Sequence, residues 1–354
     1  MFVSPADLSE DAKYIMTTEK TLSDKGYSQA RRIPKGSILF TCIGSTIGKI
    51  GIASQDLATN QQINSIVTNG EYLFYALSFQ SNRIKILANE QAVPIINKSD
   101  FERIKVAFPP LVEQRKIAEV LGVWDEAIEK QARLIEKLAL RKRGLMQRLL
   151  SAKLRLPGFS EPWKKVKFCE LFTKSIKTAD PLKKYEVLSV TKEGIVAQKS
   201  YFNKDIASED TSKYIVVERG DLAMSGLNFW MGSCHILSNF DEGIISPAYK
   251  VFKVTEHNNI DFIRDFVRSS MFLQALQGCS VIGASIVRRN LDKEMLYEWT
   301  FKIPSLKEQT AIAEVLTAAD REIDLAKEKL ERLRRQKRGL MQQLLTGKKR
   351  IAYF

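Results

Sequence analysis

Two sets of short polar clusters hold the side chains best suited to hydrogen-bonding a partner. The first set is Ser28-Gln29-Ala30-Arg31-Arg32, Ser45-Thr46 with Lys49, and Asn60-Gln61-Gln62-Ile63-Asn64. The second is Lys213-Tyr214, Ser225 with Asn228, Ser246 with Tyr249, and Arg288-Arg289-Asn290. Amides and cations of this kind reach base edges, while Lys/Arg, Ser/Thr and backbone amides hold phosphates. The candidate nucleic-acid contacts are therefore Arg31, Arg32, Ser45, Thr46, Lys49, Gln61, Gln62, Asn64, Lys213, Ser225, Asn228, Tyr249, Arg288, Arg289 and Asn290. A solvated loop side chain is the ordinary fate of any one of them, so the expectation is made for clusters rather than members. Gly44, Gly48, Gly226 and Gly232 read as turn glycines. Trp124, Trp163 and Trp299 read as core, and Trp230 in GLNFWMG as the aromatic set apart for exposure.

Chemistry on covalent bonds has no such candidates. The sequence holds no GxxxxGK[ST], no GxGxxG after a strand, no HExxH and no GxSxG. Phe108-Pro109-Pro110-Leu111 lacks both the amide or acid and the aromatic of an amino-methyltransferase motif, and it stands before a helix. Two histidines and four scattered cysteines without a CxxC pair argue against a metal site and suit a reducing cytoplasm. No cofactor or metal is expected. No apolar run approaches membrane-spanning length, and no signal-peptide core opens the chain.

The elements that must carry these clusters are set by a duplication. Leu111–Lys153 returns as Leu306–Lys348 without a gap, about half of its positions identical, with EQ, IAEVL, KRGLMQ and a closing LL in both. Such a period is too long for a solenoid and marks duplication of a domain plus a helix. Apolar residues at Ile117, Leu121, Trp124, Ile128, Ile135, Leu138, Leu145 and Leu149 follow heptad spacing. The second seam is Ile312, Leu316, Ala319, Ile323, Ala326, Leu330, Leu333, Leu340 and Leu344, and Lys142 and Lys337 hold one shared seam position. Ser305 and Glu308 have capping-box spacing, and Gly347 stands where a C-terminal cap belongs. Both helices end basic, as the negative end of a helix dipole favours and as proximity to phosphate would also require. Burying one seam against the other is the simplest solution, either parallel or antiparallel.

Each helix follows a mixed α/β segment. The first is expected to contain a hairpin over Phe40–Ala53, a helix over Tyr72–Leu87, and a capped turn leading to a strand over Asn97–Phe108. The second segment repeats this order weakly. Gly36–Phe40 matches Gly220–Met224, Gly48 matches Gly232, Tyr72–Leu87 matches Asp261–Leu276, and Val93–Asn97 matches Ala284–Arg288. In that alignment Met1 stands opposite Tyr185, so Leu156–Lys184 has no counterpart. The first head is then short, truncated, or completed by another chain. The expected organisation is α+β: a first head at 1–109, a helix at 110–155, a second head at 156–303, and a second helix with tail at 304–354. The net charge of +14 concentrates on the helices. Residues 111–156 carry 11 Lys+Arg against 6 acids and 306–351 carry 12 against 7, while the heads are nearly balanced. That balance fits a nucleic-acid partner.

The PPLxEQ-type entry, the IAxxL helix, the KRGLMQxLL ending, the LPGF linker to Trp163 and the repeat of the whole resemble the DNA-specificity subunit of type I restriction-modification systems. Phe2–Leu8 (FVSPADL) and Val93–Asn97 (VPIIN) resemble segments of that family's target-recognition domains. The resemblance covers essentially the whole chain and departs from the family at the opening that corresponds to Trp163–Phe172. It implies a non-catalytic subunit with two target-recognition domains, each reading half of a bipartite double-stranded DNA site. It further implies that the helices pair as an antiparallel coiled coil, set the half-site spacing and dock two methyltransferase subunits. Those subunits use S-adenosylmethionine to methylate adenine, and motor-nuclease subunits join them, in the cytoplasm and without a membrane. A partial or silent specificity cassette and a purely architectural adaptor stay open as alternatives.

Overall fold

The computed structural model describes residues 1–9, 12–68, 70–88, 93–180, 183–202, 211–285 and 288–351, with only the backbone described over 282–285 and at 288. The chain forms two compact units, Met1–Lys137 with Ile323–Phe354, and Leu138–Glu322.

In the first unit, β1 (Ile38–Thr41) and β2 (Ile50–Ala53) form the expected hairpin, and β3 (Ile63–Ile66) pairs with the other edge of β1. The strand β1 is apolar on both faces because both faces are covered. Ile38 and Phe40 point into a core shared with helix α1 (Tyr72–Lys85), and Leu39 points into a second core with Val3, Leu8 and Leu57. Gly48, at φ +93°, closes the hairpin by donating its amide to Thr41 O at 3.0 Å. The amide of Asp100 donates to Asn97 Oδ1, capping the short turn Lys98–Glu102 as expected. The strand expected after it does not form. Ala107 O accepts from Tyr72 Oη and Lys105 O from Gln80 Nε2, and no described strand lies alongside. The chain then enters helix α2 (Leu111–Leu149).

The second unit repeats this plan and adds to it. The strands that build its main sheet and its edge are β4 (Lys164–Lys167), β5 (Phe172–Ser175), β6 (Leu222–Met224), β7 (Cys234–Ile236) and β8 (Lys250–Val254), and two further antiparallel pairs, Leu188–Val190 with Ile195–Ala197 and Ile215–Glu218 with Glu242–Ile245, lie between them in the chain. They are followed by α3 (Ile260–Phe266), α4 (Ser270–Gly278), the hairpin β9 (Ser280–Ser285) and β10 (Arg288–Leu291), then β11 (Thr300–Ile303) and α5 (Leu306–Leu345). The sheet order is β7-β6-β8-β5, and β4 pairs with β11. The match of Gly36 to Gly220 holds in register: Ile38 faces Ile52 and Ile66, as Leu222 faces Ile236 and Phe252. The single helix expected over Asp261–Leu276 is two, because Ser269 Oγ accepts the Phe272 amide and starts a new helix.

The long helices pair antiparallel in each unit. In the first, Gln131 Nε2 donates to Ala326 O and Lys337 bonds Asp125; in the second, Lys142 bonds both oxygens of Asp320 at 2.6 Å. The seam lies inward: Ile117, Leu121, Ile128, Leu138 and Leu149 are buried, as are Ile312, Leu316, Ala319, Ile323, Ala326, Leu330 and Leu344. Each unit also encloses the end of the other helix, with Met341, Leu344 and Leu345 in the first core and Leu149 and Leu150 in the second. Glu308 does not close a capping box. Its carboxylate accepts from Arg155 Nε and Nη2 and from Trp163 Nε1, and the matching Glu113 accepts from Arg350 Nε and Nη2.

Candidate nucleic-acid interface

In the first unit three loop segments converge where the β1–β2 hairpin turns. Cys42 N donates to Gln62 O at 2.8 Å, Gly44 N to Pro94 O at 2.9 Å, and Ile96 N to Cys42 O at 2.8 Å. This brings the Ser45-Thr46 turn, the Asn60–Asn64 loop and Val93–Ile96 together. Ser45 and Gln61 are exposed, and Thr46 and Gln62 are half-exposed. The remaining candidates are committed elsewhere. Gln62 and Asn60 bond one another, Asn64 Nδ2 donates to Cys42 Sγ at 3.2 Å, and Lys49 Nζ turns back to Pro5 O at 3.2 Å. Arg31 and Arg32 are exposed but stand before Ile33 and so at the opening end of β1; the Arg32 guanidinium lies 5.5 Å from the Tyr27 ring centre.

The second unit builds the equivalent end differently. Gly226 has no room for a side chain, since a Cβ there would fall 2.0 Å from Ala248 O, so the β6–β7 loop lies directly on the Ser246–Tyr249 turn. Ser225, expected to face a partner, is buried; its hydroxyl accepts from the amides of Leu227 and Asn228 and shapes the loop. Asn228 is exposed at the loop tip, and Tyr249 is half-buried against the adjoining core. Lys213 is exposed beside this end, because the strand Ile215–Glu218 that follows it pairs with Glu242–Ile245 ahead of Ser246.

The β9–β10 hairpin supplies the most developed feature. The Arg289 guanidinium lies 4.5 Å from the Trp230 ring centre while Nη1 donates to Ser280 Oγ at 3.0 Å. Trp230 Nε1 and Arg289 Nε are shielded from solvent and have no acceptor among the described residues. A guanidinium over an indole face is an arrangement that can stack on a base or pair with a phosphate, although these two shielded donors do not themselves face solvent. Trp230 is thus half-exposed as its loop suggested, but sequence reasoning did not pair it with Arg289. Asn290 is exposed beside Arg289, and the Arg288 side chain lies outside the described residues.

The basic helix ends divide. Lys142 and Lys337 are tied to Asp320 and Asp125, Arg141 to Glu322, and Arg334 to Glu331. Arg143, Arg335 and Arg338 remain on the surface. His235 is an inward residue: its Nε2 sits 3.1 Å from Thr191 O, and burial holds its pKa below the ordinary value. No described helix is long and apolar enough to cross a membrane.

Comparison with known proteins gives a consistent result. Residues 2–139 and 160–335 match the family described as the type I restriction modification DNA specificity domain. The chain is 28% identical over 329 residues to the MjaVIII specificity subunit of Methanocaldococcus jannaschii, covering 86% of this chain and 76% of that one. It is 26% identical over 362 residues to the putative MjaX specificity subunit of the same organism, covering 90% and 80%. Among solved structures it is similar to a chain of a type I R-M system studied for complex assembly and conformational transition, with TM-score 0.60, 16% identity, and 97% and 90% of the two chains covered. It is also similar to the S subunit from M. genitalium, with TM-score 0.51, 16% identity, and 97% and 91% covered. At those identities the structural likeness speaks to the fold alone.

Proposed function

The chain belongs to the family of type I restriction-modification DNA specificity domains, and from that premise we propose that each of its units reads one half of a bipartite double-stranded DNA site. It acts as the specificity subunit, and catalysis belongs to other subunits. The observation that carries the bipartite reading is internal. Both units present polar loops from the same end of the same sheet in the same register, yet the loops share almost no side chains. A constant frame with divergent tips is what two different half-sites require.

The helices set the spacing between half-sites and dock two methyltransferase subunits, which motor-nuclease subunits join, in the cytoplasm. Support for docking comes from Val123, Leu134, Leu140 and Leu325, which lie off the seam and are exposed although apolar.

The test is reconstitution with cognate methyltransferase subunits and sequencing for methyladenine. The expected product is methylation confined to one bipartite motif, with both halves readable and no methylation when this chain is left out. A complex that forms but methylates without sequence preference would make the chain an adaptor. Failure to form a complex would favour a silent cassette.

A further inference from the structure

The second unit matches several of its lysines to acids. Lys177 and Lys253 both bond Glu218, Lys183 pairs with Glu242, and Lys167 with Glu298. Three others are gathered without one. Lys174 lies in β5 opposite Phe252 of β8, and Lys250 is two residues from Phe252 on the same strand. Both lysines therefore project from one face of the sheet as diagonal neighbours, roughly 7–8 Å apart along the backbone. Lys293 opens the short helix Lys293–Glu298 and is the third. Burial, and after it the charges of Lys293 and Lys174, hold the Lys250 pKa below its ordinary value.

Among the described residues no carboxylate pairs with any of the three. The acid next to Lys293 is Asp292, and its Oδ1 accepts the Met295 amide at 3.0 Å. Like charges at such positions repel, and the folded chain carries that cost with no acid to offset it. Protection of a sheet edge does not account for it, because β8 lies inside the sheet between β6 and β5 and Lys250 is half-buried.

The cluster borders the candidate interface on two sides. Lys250 stands opposite Met224, at the start of the β6–β7 loop, and directly follows the Ser246–Tyr249 turn. Lys293 follows Asn290 by three residues, just past the end of β10. In the first unit the register position of Lys250 belongs to Asn64, opposite Phe40, and its amide is spent on Cys42 Sγ. The cation at this place is thus a feature of the second head and no part of the duplicated frame.

We infer that Lys174, Lys250 and Lys293 form a phosphate clamp that holds the backbone of duplex DNA beside the loops of the second unit. The clamp rests on the DNA reading above. Three ammonium point charges suit the oxygens of a phosphodiester, so the cluster fixes position and carries no sequence information.

The test uses the reconstituted complex and a labelled duplex carrying the bipartite motif that its methylation defines. Lys174→Gln, Lys250→Gln and Lys293→Gln together should weaken binding by at least about tenfold at low salt. They should also reduce the slope of log affinity against log salt by about 1–3 and leave the methylated motif unchanged. Replacing Lys184, Lys199 and Lys307, exposed lysines of the same unit, removes equal charge and should reduce the slope by less than half as much. Without any substitution, the duplex should protect Lys174 and Lys293 from acylation. An unchanged slope, an equal fall in the control, or no protection in a parent complex that binds its motif overturns the clamp and leaves the DNA reading standing. A new base preference in the triple variant, or equal protection by millimolar inorganic phosphate alone, overturns it as well. A parent complex that shows no salt-dependent binding to duplex would overturn the DNA reading and the clamp with it.

Discussion

Ala152 adopts φ +57° just past the end of α2, and the residue in the same place after α5 is Gly347 at φ +72°. Both ends close with the same long-range bond, Leu154 N to Arg148 O and Lys349 N to Gln343 O, each at 3.0 Å. The left-handed position costs a residue with a Cβ about 1–2 kcal/mol, and glycine gives part of that back in unfolded-state entropy. Because Ala152 is exposed and fills no cavity, Ala152→Gly should stabilise the second unit by about 0.5–1 kcal/mol. Gly347→Ala, where a Cβ meets nothing within 4 Å, should cost the first unit about as much. Denaturation midpoints of the two variants should therefore move in opposite directions. Movement in the same direction would refute the backbone account.

The strand Ile215–Glu218 ends in an acid held by two cations. Glu218 accepts from Lys177 and, at 2.8 Å, from Lys253, and these bonds pull its pKa from 4.5 to about 2. Asp221 is the other acid beside it, its Oδ2 taking the Glu218 amide at 3.0 Å. The folded-state pKa is depressed, so this contribution to stability is complete above about pH 4.5 and fades as pH falls toward 2. Glu218→Gln should lower the melting temperature at pH 7 and converge on the parent as pH drops through that window. A gap that persists at pH 3 would mean the side chain acts through packing. Pairings of this kind were not legible in the sequence, and the long helices were. A heptad seam is a local periodicity, readable from one stretch, and every seam residue named above is buried or half-buried. That Glu308 takes Arg155, or that Lys142 takes Asp320, depends on segments far apart in the chain with no periodic trace. The same limit applies at the candidate interface. Composition located the loops, but it could not tell that Ser225 and Asn64 turn inward or that Arg289 stacks on Trp230.

Across the whole molecule the two helices run through 39 and 40 residues without a break, each about 60 Å at 1.5 Å per residue. If they set the distance between half-sites, changing both together must change the spacer the protein tolerates. The seam constrains how that can be done, since removing four residues turns the apolar stripe off its partner, whereas removing seven keeps it. Antiparallel pairing also requires matched excisions, flanking Gln131 in α2 and Ala326 in α5, where one helix hydrogen-bonds the other. Seven residues from each helix shorten the pair by about 10 Å, which is about three base pairs of duplex. A library of sites with the half-sites fixed and the spacer varied, methylated by the reconstituted complex, should shift its optimum by that amount and leave both half-sites unchanged. The ion pairs at the helix ends, Arg155 with Glu308 and Arg350 with Glu113, lie outside the excised stretch and should keep each unit intact. An unchanged spacer optimum in a complex that still assembles would mean that something other than these helices fixes the distance.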